Sequence, residues 1–132
     1  MAKEILTKNY TDLDLVFSPN PITKDISLKH DVEAVKRSIQ HLLFTNNGER
    51  LFQPNLYSGI KNILFENYNS LSAVTIKNKI EDVLSNHEPR INSLNINFYE
   101  NPETHYLQID ISFKVKNSPA TGNISFDIQR LR

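Results

Sequence analysis

Glu88-Pro89-Arg90 sets a carboxylate and a guanidinium fork two residues apart, with a proline between them. Pro89 has no backbone N–H and a fixed φ, and it drives Glu88 out of the α region, so a helix ahead of it must end near His87. If the tripeptide is extended, both charged side chains point to one side, roughly 6.5 Å apart along the chain. Turned outward, the pair can dock another protein through charge-assisted hydrogen bonds. Turned inward, it clamps the helix to the sheet, or it stands as a solvated pair, and the spacing alone is compatible with each of these. Glu88, Pro89 and Arg90 are therefore the candidate partner-binding residues.

Catalytic and metal signals are poor. His87-Glu88 begins like the helical His-Glu-x-x-His zinc motif, but position 91 is Ile and Pro89 breaks the helix that motif requires. His30, His41, His87 and His105 show no ligand spacing. The sequence contains no Gly-x-Ser-x-Gly elbow, phosphate-binding loop or dinucleotide fingerprint, and its 3 glycines could hardly build one. No cofactor and no metal are expected. Glycoside hydrolysis needs only two carboxylates across a cleft, and Glu49, Glu66 and Glu88 are the glutamates that could serve. Glu49 adjoins Arg50 and Glu88 lies beside Arg90, and a neighbouring cation favours the ionised carboxylate where a general acid must keep its proton. A peptidoglycan-cleaving hydrolase stands as the alternative reading.

The elements that must hold these residues follow from periodicity. Leu13, Leu15 and Phe17 share one side of an extended segment that Pro19 and Pro21 stop, which predicts a short strand or an arm lying on the domain. Ile26 to Leu28 is a second extended piece leading to Asp31, a helix N-cap. Val32, Val35, Ile39, Leu42 and Leu43 recur at helical spacing, with Glu33 and Arg37 as an i,i+4 pair, so the first helix runs from about Val32 to Phe44. Thr45-Asn46-Asn47-Gly48 turns the chain, and Glu49 to Pro54 forms a loop with Leu51 and Phe52 as apolar anchors. Ser58-Gly59 opens a short helix with Ile60, Ile63 and Leu64 inward and Phe65 flanking. Ser70 or Ser72 caps the next, whose stripe is Ala73, Ile76, Ile80, Val83 and Leu84.

After Arg90 the period falls to two. Leu94, Ile96 and Phe98, then Leu107 to Val115 beyond the turn Asn101-Pro102-Glu103-Thr104, then Ile124, Phe126 and Ile128, alternate with polar residues. Asn117 to Gly122 supplies the second turn. The expected fold is α+β: two main amphipathic helices and a short one packed on one face of a three-stranded antiparallel sheet. Residues 1–132 form one domain, with an extended arm at 1–28, a helical part at 29–90 and a β-meander at 91–132. The strand from Asn123 to Arg130 lacks proline and inward charge. It is open to pairing either with a donated strand or with the chain's own Leu13 to Phe17 segment.

Bulk properties narrow the partners. The 15 basic and 15 acidic residues cancel and are evenly mixed, which argues against nucleic acid or an anionic membrane as the main partner. Cysteine is absent, so no disulfide framework or thiolate metal site can form. Nowhere is there a run near 18 apolar residues, and neither a signal peptide nor a membrane span is read.

Taken together, several pieces resemble the baseplate wedge and sheath-initiator proteins of contractile-tailed phages. They are Tyr10-Thr11-Asp12-Leu13-Asp14; Asp31 with Val35, Ser38-Ile39 and Leu42-Leu43; Gly48-Glu49-Arg50-Leu51-Phe52 with Pro54 and Gly59; Leu64-Phe65-Glu66; and Glu88-Pro89-Arg90-Ile91. Relatives of that family serve in type VI secretion baseplates, so the equivalent subunit of a type VI secretion system is a further alternative, and some members carry a lysozyme-like label. The resemblance implies a non-enzymatic structural role between baseplate and tail sheath, with Glu88, Pro89 and Arg90 docking on the wedge core. It further implies sheath strands pairing with this sheet, several copies per baseplate, and a place in the virion tail after assembly in the host cytoplasm. Its expected partners are other wedge proteins and sheath subunits.

Overall fold

The computed structural model describes residues 10–63, 70–101, 103 and 106–129. The expected roles of Leu64, Phe65, Glu66, His105 and the turn residues Pro102 and Thr104 fall outside that set.

The period-two segment forms an antiparallel meander, β3 (Ile91–Asn101), β4 (Tyr106–Val115) and β5 (Thr121–Gln129), in the order β3-β4-β5. Along β4, Leu107, Ile109, Ile111, Phe113 and Val115 are all buried while Gln108 and Lys114 are exposed, so the pleat gives one dry and one wet face. Registry carries the dry face across the sheet, as in the row Ile96, Ile111 and Ile124. Two helices cover it. The first, α1 (Asp31–Phe44), buries Ala34, Val35, Ile39, Leu42 and Leu43. A short α2 (Ile60–Ile63) contributes Ile60, and α3 (Ser70–His87) contributes Ile76, Ile80, Val83 and Leu84 to the same core. Each fully buried Leu or Ile is worth about 1.5–3 kcal/mol of transfer free energy, which is why these stripes dictate how the helices lie. The α+β class and both helical stripes match the sequence reading.

Several local expectations give way to hydrogen bonding. His30, not Asp31, is the N-cap of α1, and it makes no side-chain cap. Asp31 sits inside the first turn at φ +46°, a left-handed conformation that aspartate tolerates. Its carboxylate accepts the Tyr10 N–H at 3.1 Å, and its own N–H donates to the Tyr10 carbonyl at 2.8 Å, tying the arm to the helix. The arm is a separate two-stranded sheet, β1 (Thr11–Leu13) antiparallel to β2 (Leu28–His30). The first strand stops early because Asp14 builds a turn: its carboxylate accepts the Val16 N–H at 3.2 Å and its carbonyl the Phe17 N–H at 2.9 Å. Leu15, Val16 and Phe17 are thereby left exposed instead of lying on the domain.

Leu51 and Phe52 are no anchors either, being 90% and 96% exposed. Their loop closes on its own polar groups, with Gly48 at φ +73° donating to the Pro54 carbonyl and the Glu49 carboxylate accepting the Asn46 N–H at 2.7 Å. Among the described residues the i,i+4 ion pair that forms is Lys77–Glu81 at 4.0 Å, not Glu33–Arg37. Gly122 belongs to β5 instead of the preceding turn. It faces Phe113 across the ladder, where a Cβ would lie 2.3 Å from the ring tip. Since β1 pairs with β2, the Leu13 to Phe17 segment does not cover β5. Among the described residues, β3 and β5 each have β4 as their sole strand neighbour.

Candidate functional site

The last turn of α3 delivers Glu88 to the core side of the molecule. Its N–H donates to the Leu84 carbonyl at 2.9 Å, the final helical bond before Pro89. The Glu88 carbonyl then accepts the Ile91 N–H at 3.3 Å, so residues 88–91 form a tight turn and not the extended segment considered from the sequence. That turn folds Arg90 back on Glu88. Nε donates to Oε1 at 2.6 Å and Nη2 to Oε2 at 2.9 Å, a bidentate fork on a carboxylate that is 2% exposed.

Three other elements converge on the same pair. From α1, Ser38 adds to the interactions that favour the ionised Glu88 carboxylate. On the arm, Asp12 accepts from Arg90 Nη1 at 3.0 Å, and the Tyr10 ring centre lies 5.8 Å from the guanidinium carbon. At the base of the sheet, the Arg90 carbonyl accepts the Lys116 N–H at 2.8 Å. Burial alone would push the Glu88 carboxyl up, but hydrogen bonds from Arg90 and Ser38 together with the guanidinium charge outweigh it and hold the group below its ordinary value. Arg90 is correspondingly raised, first by its bond to Glu88 and further by Asp12 against the opposing effect of burial.

The arrangement is a latch with one closed and one open side. Glu88 is turned into the protein, Pro89 is exposed and Arg90 is half-buried. Beside Pro89 lies a depression of about 370 Å³ lined by Leu84, Ile91, Leu94 and Lys116 among others. A carboxylate kept ionised by a guanidinium cannot act as a general acid at neutral pH. The other describable glutamate candidate, Glu49, is exposed and engaged with its own loop. Among the described residues no group of three or more His, Asp or Glu could hold a metal ion, and no helix is long and apolar enough to cross a membrane.

Sequence reasoning found Glu88, Pro89 and Arg90 but assigned no place in the site to Asp12, Tyr10 or Ser38. Their contacts span the chain, and no local spacing signals them. All three did stand within the segments that carried the family resemblance.

Comparison with known proteins sets this geometry in context. Residues 29–120 match the family model described as baseplate wedge protein gp25. The chain is 31% identical over 114 residues to the baseplate wedge protein gp25 of Enterobacteria phage T4, covering 86% of each chain. Among solved structures, it is similar to a candidate tail lysozyme from Geobacter sulfurreducens, at a TM-score of 0.64 and 26% identity over 74% of this chain and 89% of that one. A chain of the anti-feeding prophage baseplate has the same fold at a TM-score of 0.57 and 22% identity, over 93% and 87% of the two chains. So does one of the type VI secretion baseplate complex, at 0.59 and 17% identity over 74% and 92%.

Proposed function

The chain belongs to the baseplate wedge protein gp25 family, and from that premise we propose how its surfaces serve a structural subunit of a contractile phage tail baseplate. Pro89 and Arg90 dock on neighbouring wedge proteins, with Glu88 fixing the direction of the guanidinium from below. The depression beside Pro89, with its mixed polar and apolar lining, receives a side chain of the same partner. At the edge of the sheet away from β3, β5 offers a backbone on which incoming tail sheath strands pair. The subunit does no catalysis, acts in several copies per baseplate, and joins the virion tail after assembly in the host cytoplasm.

The observation that carries the strand-pairing reading is β5 itself. It makes nine residue pairs with β4 along one edge, and among the described residues no strand lies along the other. Thr121 to Gln129 contains neither proline nor lysine, the usual devices against edge pairing. Main-chain pairing fixes direction and register while tolerating side-chain change, which suits the start of a repeating lattice. The test is sheath polymerisation in vitro on baseplates prepared with and without this protein. Loss of organised growth without it supports the reading, and normal growth removes it.

The ionised, inward Glu88 speaks against the hydrolase alternative. Turbidity loss of purified murein that disappears with Glu49→Gln or Glu88→Gln, in variants that stay folded, is the result that would restore it.

A further inference from the structure

The two carboxylates on Arg90 are held very differently. Glu88 is 2% exposed and grips the guanidinium with both oxygens, whereas the Asp12 side chain is 43% exposed and meets only Nη1, at 3.0 Å. A guanidinium has five N–H donors. Three make these bonds, and the Arg90 side chain keeps 21% of its surface open, so it has donors to spare on the side away from Glu88. The arm carrying Asp12 does not depend on that contact. It is also fixed by the Tyr10–Asp31 backbone and carboxylate bonds and by the β1–β2 ladder. Asp12 can therefore swing off Arg90 by a side-chain rotation while the arm stays in place.

We propose that the outer edge of the Arg90 guanidinium is an exchangeable carboxylate site, filled by Asp12 in the free subunit and by an acidic side chain of the wedge partner on docking. The inference rests on the docking reading above and specifies its chemistry. The partner presents an Asp or Glu for Arg90 and, next to it, a side chain for the mixed depression that Leu84, Ile91 and Leu94 line together with Ser85, Asn92 and Lys116. A monodentate, solvent-open pair has little net stabilisation to lose, so replacing it with a second fork is favourable. Asp12 also shields the guanidinium from other anions until the partner arrives.

The test measures affinity of the full chain for a purified wedge complex lacking this subunit, by titration calorimetry. Asp12→Asn, which no longer competes as an anion, is expected to bind about two- to fivefold tighter at low salt. Asp12→Glu, whose longer stem lets both oxygens reach the guanidinium, is expected to bind more weakly than wild type. A loosened arm could not produce these opposite signs, and Asp12→Glu alone decides the matter if Asp12→Asn melts early. Arg90→Lys loses the planar fork and is expected to weaken binding at least tenfold. If Arg90→Lys weakens binding but Asp12→Asn does not tighten it and Asp12→Glu does not weaken it, the exchange is wrong and the docking reading survives. Wild-type affinity for Arg90→Lys overturns both.

Discussion

Arg90→Ala should destabilise the isolated domain by about 3 kcal/mol. The substitution strips a bidentate partner from a carboxylate with 2% of its surface exposed. Orphaning one member of a buried pair costs about 3–5 kcal/mol. The lower end applies here because Ser38 still favours the ionised carboxylate and the carboxyl can also escape by taking up a proton. With an unfolding entropy of about 2.1 cal/mol/K per residue, 132 residues give roughly 0.28 kcal/mol per degree, so the melting temperature should fall by about 11 °C. Thermal melts followed by circular dichroism at pH 7 read this directly. The companion Glu88→Gln/Arg90→Ala chain, which buries no charge, should melt above Arg90→Ala alone. If Arg90→Ala melts within about 2 °C of wild type, Glu88 does not rely on the guanidinium and the inward latch is wrong.

Acid should expose the same pair. Glu88 has a folded pKa below its ordinary 4.5, so its stabilisation is complete above that value and is lost as pH falls through the depressed one; Arg90 stays charged throughout and adds no slope. Urea midpoints measured from about pH 5 down to about pH 3 should therefore drop more steeply for wild type than for Glu88→Gln, and equal slopes would exclude Glu88 as the source. Gly122→Ala places a methyl into the Phe113 ring and should cost about 1–3 kcal/mol, with Phe113→Leu in the same chain restoring part of it. By contrast, Leu51→Ser with Phe52→Ser should leave stability within about 0.5 kcal/mol of wild type, since both side chains stand in solvent; a loss near 2 kcal/mol in denaturant titrations would mean that the loop packs on the domain.

Periodic features were the legible ones. The α1 and α3 stripes and the three alternating strands were readable because burial repeats every 3.6 or two residues whatever the rest of the chain does. What escaped depends on single polar groups. Asp14 ended the first strand by turning its carboxylate on Val16, and Asp31 gave up the capping position to hold Tyr10. Neither choice leaves a periodic trace. In the site, Pro89 announced the end of α3 and the charge pair around it was visible, but Asp12 and Ser38 reach Arg90 and Glu88 only through tertiary packing. Leu51 and Phe52 failed for the opposite reason. Apolar type suggests burial, yet the Gly48–Pro54 closure satisfies the loop without it.

The direction of β5 has a mechanical consequence. Its nine pairs with β4 lie side by side along one line, so tension applied parallel to the strand stretches all of them together, in shear, whereas a perpendicular tug would unzip them singly. A polypeptide laid alongside β5 on its open edge inherits the shear geometry. Such a joint resists axial load by the sum of its hydrogen bonds and peels readily only from an end, which makes it strong along the direction of pull and still separable by a sideways force.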